Sequence, residues 1–243
     1  MRTTSLVLIL GLMALLFDEG WGQVEGEERT ISEVNVSQAQ ESPAQSLHRI
    51  SVSAGMGVSY VSAEDIVNLV NSRGLGTEKV ADFKAGADFF GALGIPLNSD
   101  WSLKLEYSYL LYSYNPTGTL VPAEFTVSAH LPMILVQYTL TDAGTYNVKL
   151  GAGAGYHIGY LSEKAGSVED RYTGKGFGTA VDLEANTAFS DDFFGYLGGN
   201  IRWEFIGRLT NDAGRSAYLV ANSPEPTLHF FSVGARLGFT FYF

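Results

Sequence analysis

The chain has 243 residues, 28 of them glycine and 31 aromatic (15 Phe, 13 Tyr, 3 Trp), with 17% charged residues, a mean hydropathy of +0.07 and a net charge of −11. That length suits one domain plus a targeting segment, and the acidic balance argues against nucleic acid, whose phosphates need a basic surface. The absence of cysteine excludes disulfides, thiolate metal sites, thiol redox catalysis and a lipidated N-terminal Cys.

The N-terminus reads as a secretory signal over residues 1–22. Arg2 supplies the positive charge, Leu6 to Phe17 is a 12-residue apolar stretch, and Gly20-Trp21-Gly22 places small residues at the −3 and −1 positions of a cut before Gln23. The stretch falls short of the ~20 residues a spanning helix needs. Residues 23–47 hold five Glu, one Arg and no aromatic residue, without periodicity, and are expected to form a disordered acidic linker in the periplasm.

From His48 onward the texture changes to period-2 alternation broken by turn residues, so residues 48–243 are read as the folded domain. Eight strands are predicted, at 48–61, 79–95, 100–114, 123–141, 145–161, 174–190, 193–207 and 227–243. The fifth sets Tyr146, Val148, Leu150, Ala152, Ala154, Tyr156, Ile158 and Tyr160 against Asn147, Lys149, His157 and four glycines; the last sets Phe231, Val233, Ala235, Leu237, Phe239, Phe241 and Phe243 against Ser232, Arg236, Thr240 and Tyr242. In the fourth, Phe125, Val127, Ala129 and Leu131 share one face, but Pro132 cannot donate to a ladder and implies a bulge or a strand end. Past it, either Met133 and Leu135 or Ile134 and Val136 are compatible with an outward face.

Connections alternate in length. Pro96 to Ser99, Asp142 to Gly144 and Asp191-Asp192 are tight; Ser62 to Glu78, Asn115 to Pro122, Ser162 to Thr173 and Arg208 to Pro226 are long. Short periplasmic turns and long outer loops, with an even strand number, describe an all-β, antiparallel up-and-down transmembrane barrel of about eight strands. Aromatics on the apolar face gather near strand ends: Trp101, Phe189, Phe193, Phe241 and Phe243 at the turn side, and Tyr60, Phe83, Tyr109, Phe125, Tyr160, Phe177, Trp203 and Phe205 at the other. Two girdles around a smaller apolar band match a bilayer interface at each end, so the apolar face is assigned to lipid. The other face carries Arg49, Lys84, Lys104, Lys149, Arg202 and Arg236 with Asp88, Glu106, Asp182, Glu184 and Glu204, and is expected to fill a narrow lumen as a paired charge network.

With these residues in view, the chain resembles the outer-membrane β-barrel proteins of Gram-negative bacteria, the OmpA-like and OmpW-like small barrels, and looks closest to the porin-like barrel families. Leu131-Pro132-Met133-Ile134-Leu135-Val136-Gln137-Tyr138 is similar to one of their strands, departing at Gln137 where Lys is common; Lys149 to Tyr156 is similar to a glycine-rich strand. The terminal Phe239, Phe241 and Phe243 resemble the aromatic-ended signal read by the barrel-assembly machinery. The resemblance implies export to the outer membrane, assembly by that machinery, and contact with outer-membrane lipids including lipopolysaccharide, as a monomer.

Chemistry within this frame is sparse. His48, His130, His157 and His229 show no metal-type spacing, so no metal and no cofactor is expected. His130 and His157 are candidates for the lumen with Ser128 and Glu184 as neighbours, the arrangement a lipid A-modifying barrel enzyme would use, although no motif supports it. Gly151, Gly153, Gly155 and Gly159 alternate along one strand and do not form a nucleotide-binding turn. Lys84, Lys104 and Lys149 with Glu106 and Glu184 could bound an ion path, but eight strands enclose a space just wide enough for side chains. Loop acids (Glu64, Asp65 and Glu78; Glu163, Glu169 and Asp170) could meet divalent cations that bridge lipopolysaccharide. The reading that follows is a non-catalytic barrel with a structural or surface-interaction role, with a narrow channel for small solutes as the alternative and a lipid A-modifying enzyme as a distant one.

Overall fold

Alternating side chains fall on opposite faces of an extended chain, and eight such stretches pair edge to edge until the last meets the first. The computed structural model describes residues 49–73, 78–116, 122–217 and 225–243. The segments read as signal peptide and acidic linker, and His48, lie outside the described residues. The strands are β1 (Ser51–Ser62), β2 (Phe83–Pro96), β3 (Trp101–Tyr114), β4 (Ala123–Asp142), β5 (Tyr146–Ala165), β6 (Val168–Ala188), β7 (Phe193–Arg208) and β8 (Thr227–Tyr242). Each is antiparallel to its sequence neighbours, and β1 pairs with β8 from Ser51 opposite Tyr242 to Ser62 opposite Phe231, closing the barrel. Closure leaves no strand edge to be satisfied elsewhere.

Three tight turns lie at one end, beside Ser51 and Tyr242. At residues 97–100, Asn98 Oδ1 accepts from the backbone N–H of Asp100 and of Trp101, each at 2.9 Å. At 143–145, Asp142 Oδ1 accepts from Gly144 N–H at 2.8 Å and Gly144 takes φ 77°. Asn, Asp and Gly close turns of this kind through such side-chain bonds and positive φ. This end is called the turn end and the opposite one the loop end.

The loop end departs from expectation in two places. The third long connection is strand instead of loop: β5 and β6 continue pairing to Ala165 opposite Val168. A two-residue turn with Gly166 at φ 60° joins them, a hairpin geometry that favours glycine. Ser, Glu and Lys in that stretch hid its alternation because polar side chains stand on both of its faces. The first long connection contains a helix, α1 (Glu64–Ser72), with Ile66, Val67, Leu69 and Val70 buried. Its apolar residues recur at helical spacing, i, i+1, i+3 and i+4.

Pro132 neither bulges nor ends β4. The pairing with β5 keeps one register from His130 opposite Ile158 to Met133 opposite Gly155. Pro132, Ile134 and Val136 therefore face outward while Met133 and Leu135 face in. Phe125, Val127, Ala129 and Leu131 lie on that same inward face and are fully buried. This corrects the placement of Phe125 in the outer aromatic girdle: the apolar face of this part of β4 points into the barrel, because the lumen there is apolar.

Candidate functional site

The interior has two layers. Toward the turn end, ionic and hydroxyl- or amide-bearing side chains point inward, with Phe90, Phe194, Met133 and Leu135 packed among them. Arg202 from β7 and Arg236 from β8 reach across to β2 and β3: Arg236 Nε donates to Asp88 Oδ2 at 2.9 Å, its Nη1 to Glu106 Oε1 at 2.8 Å and its Nη2 to Ser108 Oγ at 2.7 Å. Arg202 donates to the same three groups at 3.3, 3.2 and 2.9 Å. Lys104 Nζ binds Glu106, Asp182 and Glu184 at 3.2, 2.9 and 2.8 Å. Lys149 stands 3.9 Å from Glu184. Gln137 and Asn186 extend the set, each donating to one of these carboxylates.

Arg202 and Arg236 retain at most 2% exposure, and Asp88 none. Charges taken this far from water are costly unless paired, and each of these guanidinium groups meets two carboxylates and a hydroxyl. Charge alternating with glycine on the inward face was legible in the sequence; the bonding pattern was not, because it joins strands distant in the chain.

Two of the eleven residues assigned to this network stand outside it. Arg49 lies at the turn-end rim, paired with Asp192 and donating to the Tyr242 carbonyl at 2.8 Å. Lys84 is near the loop end, its Nζ 5.9 Å from the centre of the Tyr114 ring. Without them the buried set is Lys104, Lys149, Arg202 and Arg236 against Asp88, Glu106, Asp182, Glu184 and Glu204. The fifth carboxylate, Glu204, is hydrogen-bonded to His157 Nδ1, with both side chains at 0% exposure. Glu204, not Glu184, is thus the partner of His157. Gly178 makes room for the pair: a Cβ there would lie 2.1 Å from Glu204 Oε2 and 2.5 Å from His157 Nδ1.

Above this layer the lumen is apolar. Leu110, Tyr112, Tyr114, Phe125, Val127 and Leu131 from β3 and β4 pack with Leu161, Ile206 and Leu228 and with the buried face of α1. The helix is latched on several sides. Arg73, just past it, binds Glu163 of β5 at 2.8 Å, Asp65 accepts from the Thr227 hydroxyl of β8, and Asn71 Oδ1 accepts from Val80 N–H at 2.9 Å. Sequence reasoning missed this plug, although the amphipathic run 64–72 carried its signal. The loop acids accordingly serve other partners: Asp65 and Glu163 hold α1, and Glu169 accepts from Arg171 Nε at 2.8 Å and Ser162 Oγ at 2.9 Å.

The outer wall reverses the usual order of a soluble protein. Met56, Tyr60, Phe177 and Leu237 are 61–67% exposed. Trp101, Phe189, Phe193, Phe241 and Phe243 ring the turn end outward, and Tyr60, Phe83, Tyr160, Phe177, Trp203 and Phe205 the loop end. Phe239, Phe241 and Phe243 are all on this wall, with Phe239 stacked on Phe193 at 5.2 Å. His130 and Ser128 face outward too, so the suggested lumen grouping of His130 with His157 does not form. Among the described residues no three or more His, Asp or Glu gather as a metal site would require.

The fold is thus an eight-stranded up-and-down barrel of the outer-membrane type, apolar outside, with an ionic layer and an apolar layer stacked within. Neither a family model nor a curated protein matches the chain. Among solved structures, Neisserial surface protein A is similar over 80% of this chain and 97% of its own, at 13% identity and a TM-score of 0.48. The attachment invasion locus protein Ail of Yersinia pestis covers 81% and is covered over 99%, at 11% identity and a TM-score of 0.46. For the outer membrane protein OprG of Pseudomonas aeruginosa the figures are 83%, 98%, 9% and 0.43.

Proposed function

We propose that this chain resides in the bacterial outer membrane as a closed barrel with a structural or surface-interaction role and no catalysis. One observation carries the reading: large apolar side chains cover the wall while five carboxylates and four cations are buried inside. That distribution is stable where hydrocarbon, not water, surrounds the barrel. Export through residues 1–22, recognition of Phe239, Phe241 and Phe243 by the assembly machinery, and a monomeric state belong to the same proposal.

The filled lumen speaks against free passage, since both the guanidinium layer and α1 would have to move. A lipid A-modifying site would need an accessible histidine whose ring is oriented by a carboxylate beside a serine; His157 is sealed against Glu204, and His130, which shares the outer face with Ser128, is hydrogen-bonded at Nδ1 to the Tyr107 hydroxyl instead. Expressed with its N-terminus intact, the protein should sediment with outer membranes, shift in gel mobility on boiling, and give no single-channel steps in planar bilayers. Recovery in the soluble periplasmic fraction without a mobility shift would refute membrane residence. Reproducible conductance from the folded protein would replace the closed barrel by the narrow channel.

A further inference from the structure

The lipid-facing wall is not uniform. Across β2 to β5 a groove of about 620 Å³ runs over Gly91, Pro132 and Ala154, bounded by Leu105, Tyr107 and Tyr156. Its floor is shallow because glycine, proline and alanine offer little side chain where neighbouring outward positions carry Leu, Ile or Tyr. Tyr107 also belongs to a second feature, immediately toward the loop end. Its hydroxyl is hydrogen-bonded to Nδ1 of His130, and the imidazole is packed by Tyr109 and Tyr160 at centroid distances of 5.0 and 5.6 Å. In the tautomer whose Nδ1 accepts from that hydroxyl, the ring carries its proton on Nε2 and can donate there.

An imidazole on a hydrocarbon-facing wall is costly unless something polar meets it. His130, Ile158 and Lys175 stand opposite one another across β4, β5 and β6, which sets Lys175 two strand spacings, roughly 10 Å, from His130. Lys175 is exposed and has no ion-pair partner among the described residues. The wall therefore presents an apolar trough and, toward the loop end, a histidine held by tyrosines with an exposed cation two strands to its side. This sequence of chemistries matches an amphiphile with a hydrocarbon tail and an anionic head.

Resting on the membrane reading above, we infer that this wall binds one membrane lipid with a net anionic phosphate head, its acyl chain in the groove beside Tyr107 and its phosphate against His130 and Lys175. The groove selects for a chain and the two basic groups select for the phosphate, so neither alone accounts for the site.

The test uses the full chain in phosphatidylcholine nanodiscs containing a minor fraction of either phosphatidylglycerol or lipid A, with retained lipids read by native mass spectrometry. One molecule of the anionic lipid should be retained in preference to phosphatidylcholine, whose phosphate is neutralised by its choline, and the arm with the greater retention identifies the source. His130→Gln and Lys175→Gln should each lower the preference about tenfold, the worth of one hydrogen bond to a charged group. Gly91→Leu should lower retention of the lipid by filling the groove; a Cβ there meets only the Ser53 carbonyl oxygen, at 4.0 Å, so the barrel can accept it. Unchanged boiling-dependent gel mobility in all three variants confirms that the barrel remains folded.

Equal lipid preference in wild type and all three variants would overturn the site. So would a shift of the His130 ring resonance by inorganic phosphate as large as that caused by the lipid, which would make the groove irrelevant. Failure of the membrane reading itself would look different, as a chain that does not enter nanodiscs at all.

Discussion

The turn-end and loop-end halves of the lumen are enclosed by the same eight strands yet filled by opposite chemistries. Below, Arg202, Arg236 and Lys104 bind carboxylates across the barrel axis; above, Phe125, Leu131 and their neighbours pack against a helix that enters from a loop. The ionic half is held by directional bonds among strands, so its parts are interdependent. The apolar half is held by contact between wall and insert, and the insert can in principle loosen while the wall persists. A barrel of this width can be closed by either means, and here the two are stacked with the His157–Glu204 pair in the ionic layer.

Removing one member of the ionic half should have the largest effect. Arg236→Leu leaves Asp88 and Glu106 short of a partner and is expected to cost about 3–5 kcal/mol in urea unfolding from lipid vesicles. A loss below that of an ordinary surface change would break the contrast. Leu69→Ala in α1 should cost about 2–4 kcal/mol, confined to docking of the helix. Hydrogen exchange would rise in α1 and at the loop-end amides of β1 and β8, with the turn-end amides unchanged; uniform acceleration would show that the two halves unfold as one.

Gly178→Ala crowds the pair of His157 with Glu204 and should cost about 1–3 kcal/mol by the same unfolding measurement. The smallest effect is expected at the rim. Arg49→Ala breaks an exposed ion pair with Asp192 and should stay within about 1 kcal/mol of wild type. Comparable losses in Arg49→Ala and Arg236→Leu would mean that burial does not distinguish these cations.

Much of the barrel is legible in the amino-acid sequence. Strands β1, β3, β5, β7 and β8 announce themselves because each has one face in contact with an apolar medium and one without, and a period of two then shows plainly. The elements that escaped are those where this rule fails. The hairpin of β5 and β6 between Ser162 and Thr173 carries mostly polar side chains on both faces, so no period of two stands out. In β4 both faces are apolar past Pro132, so Ile134 and Met133 are indistinguishable by type. The site was legible as residue types, Arg, Lys, Asp and Glu on one strand face, but Arg49 and Lys84 share that pattern while sitting near the ends of the lumen.

What the amino-acid sequence by itself determined is the strand number, the antiparallel order and which residues of most strands share a face, since period, turn chemistry and chain direction are local properties of a strand and its hairpin. Tertiary structure alone decided that Phe125 and Leu131 look inward, that His157 meets Glu204 and not Glu184, that α1 fills the loop end, and that Tyr107 both borders a groove and meets His130. These depend on the stagger of closed strands and on space left inside the ring, quantities that exist only once β8 has met β1.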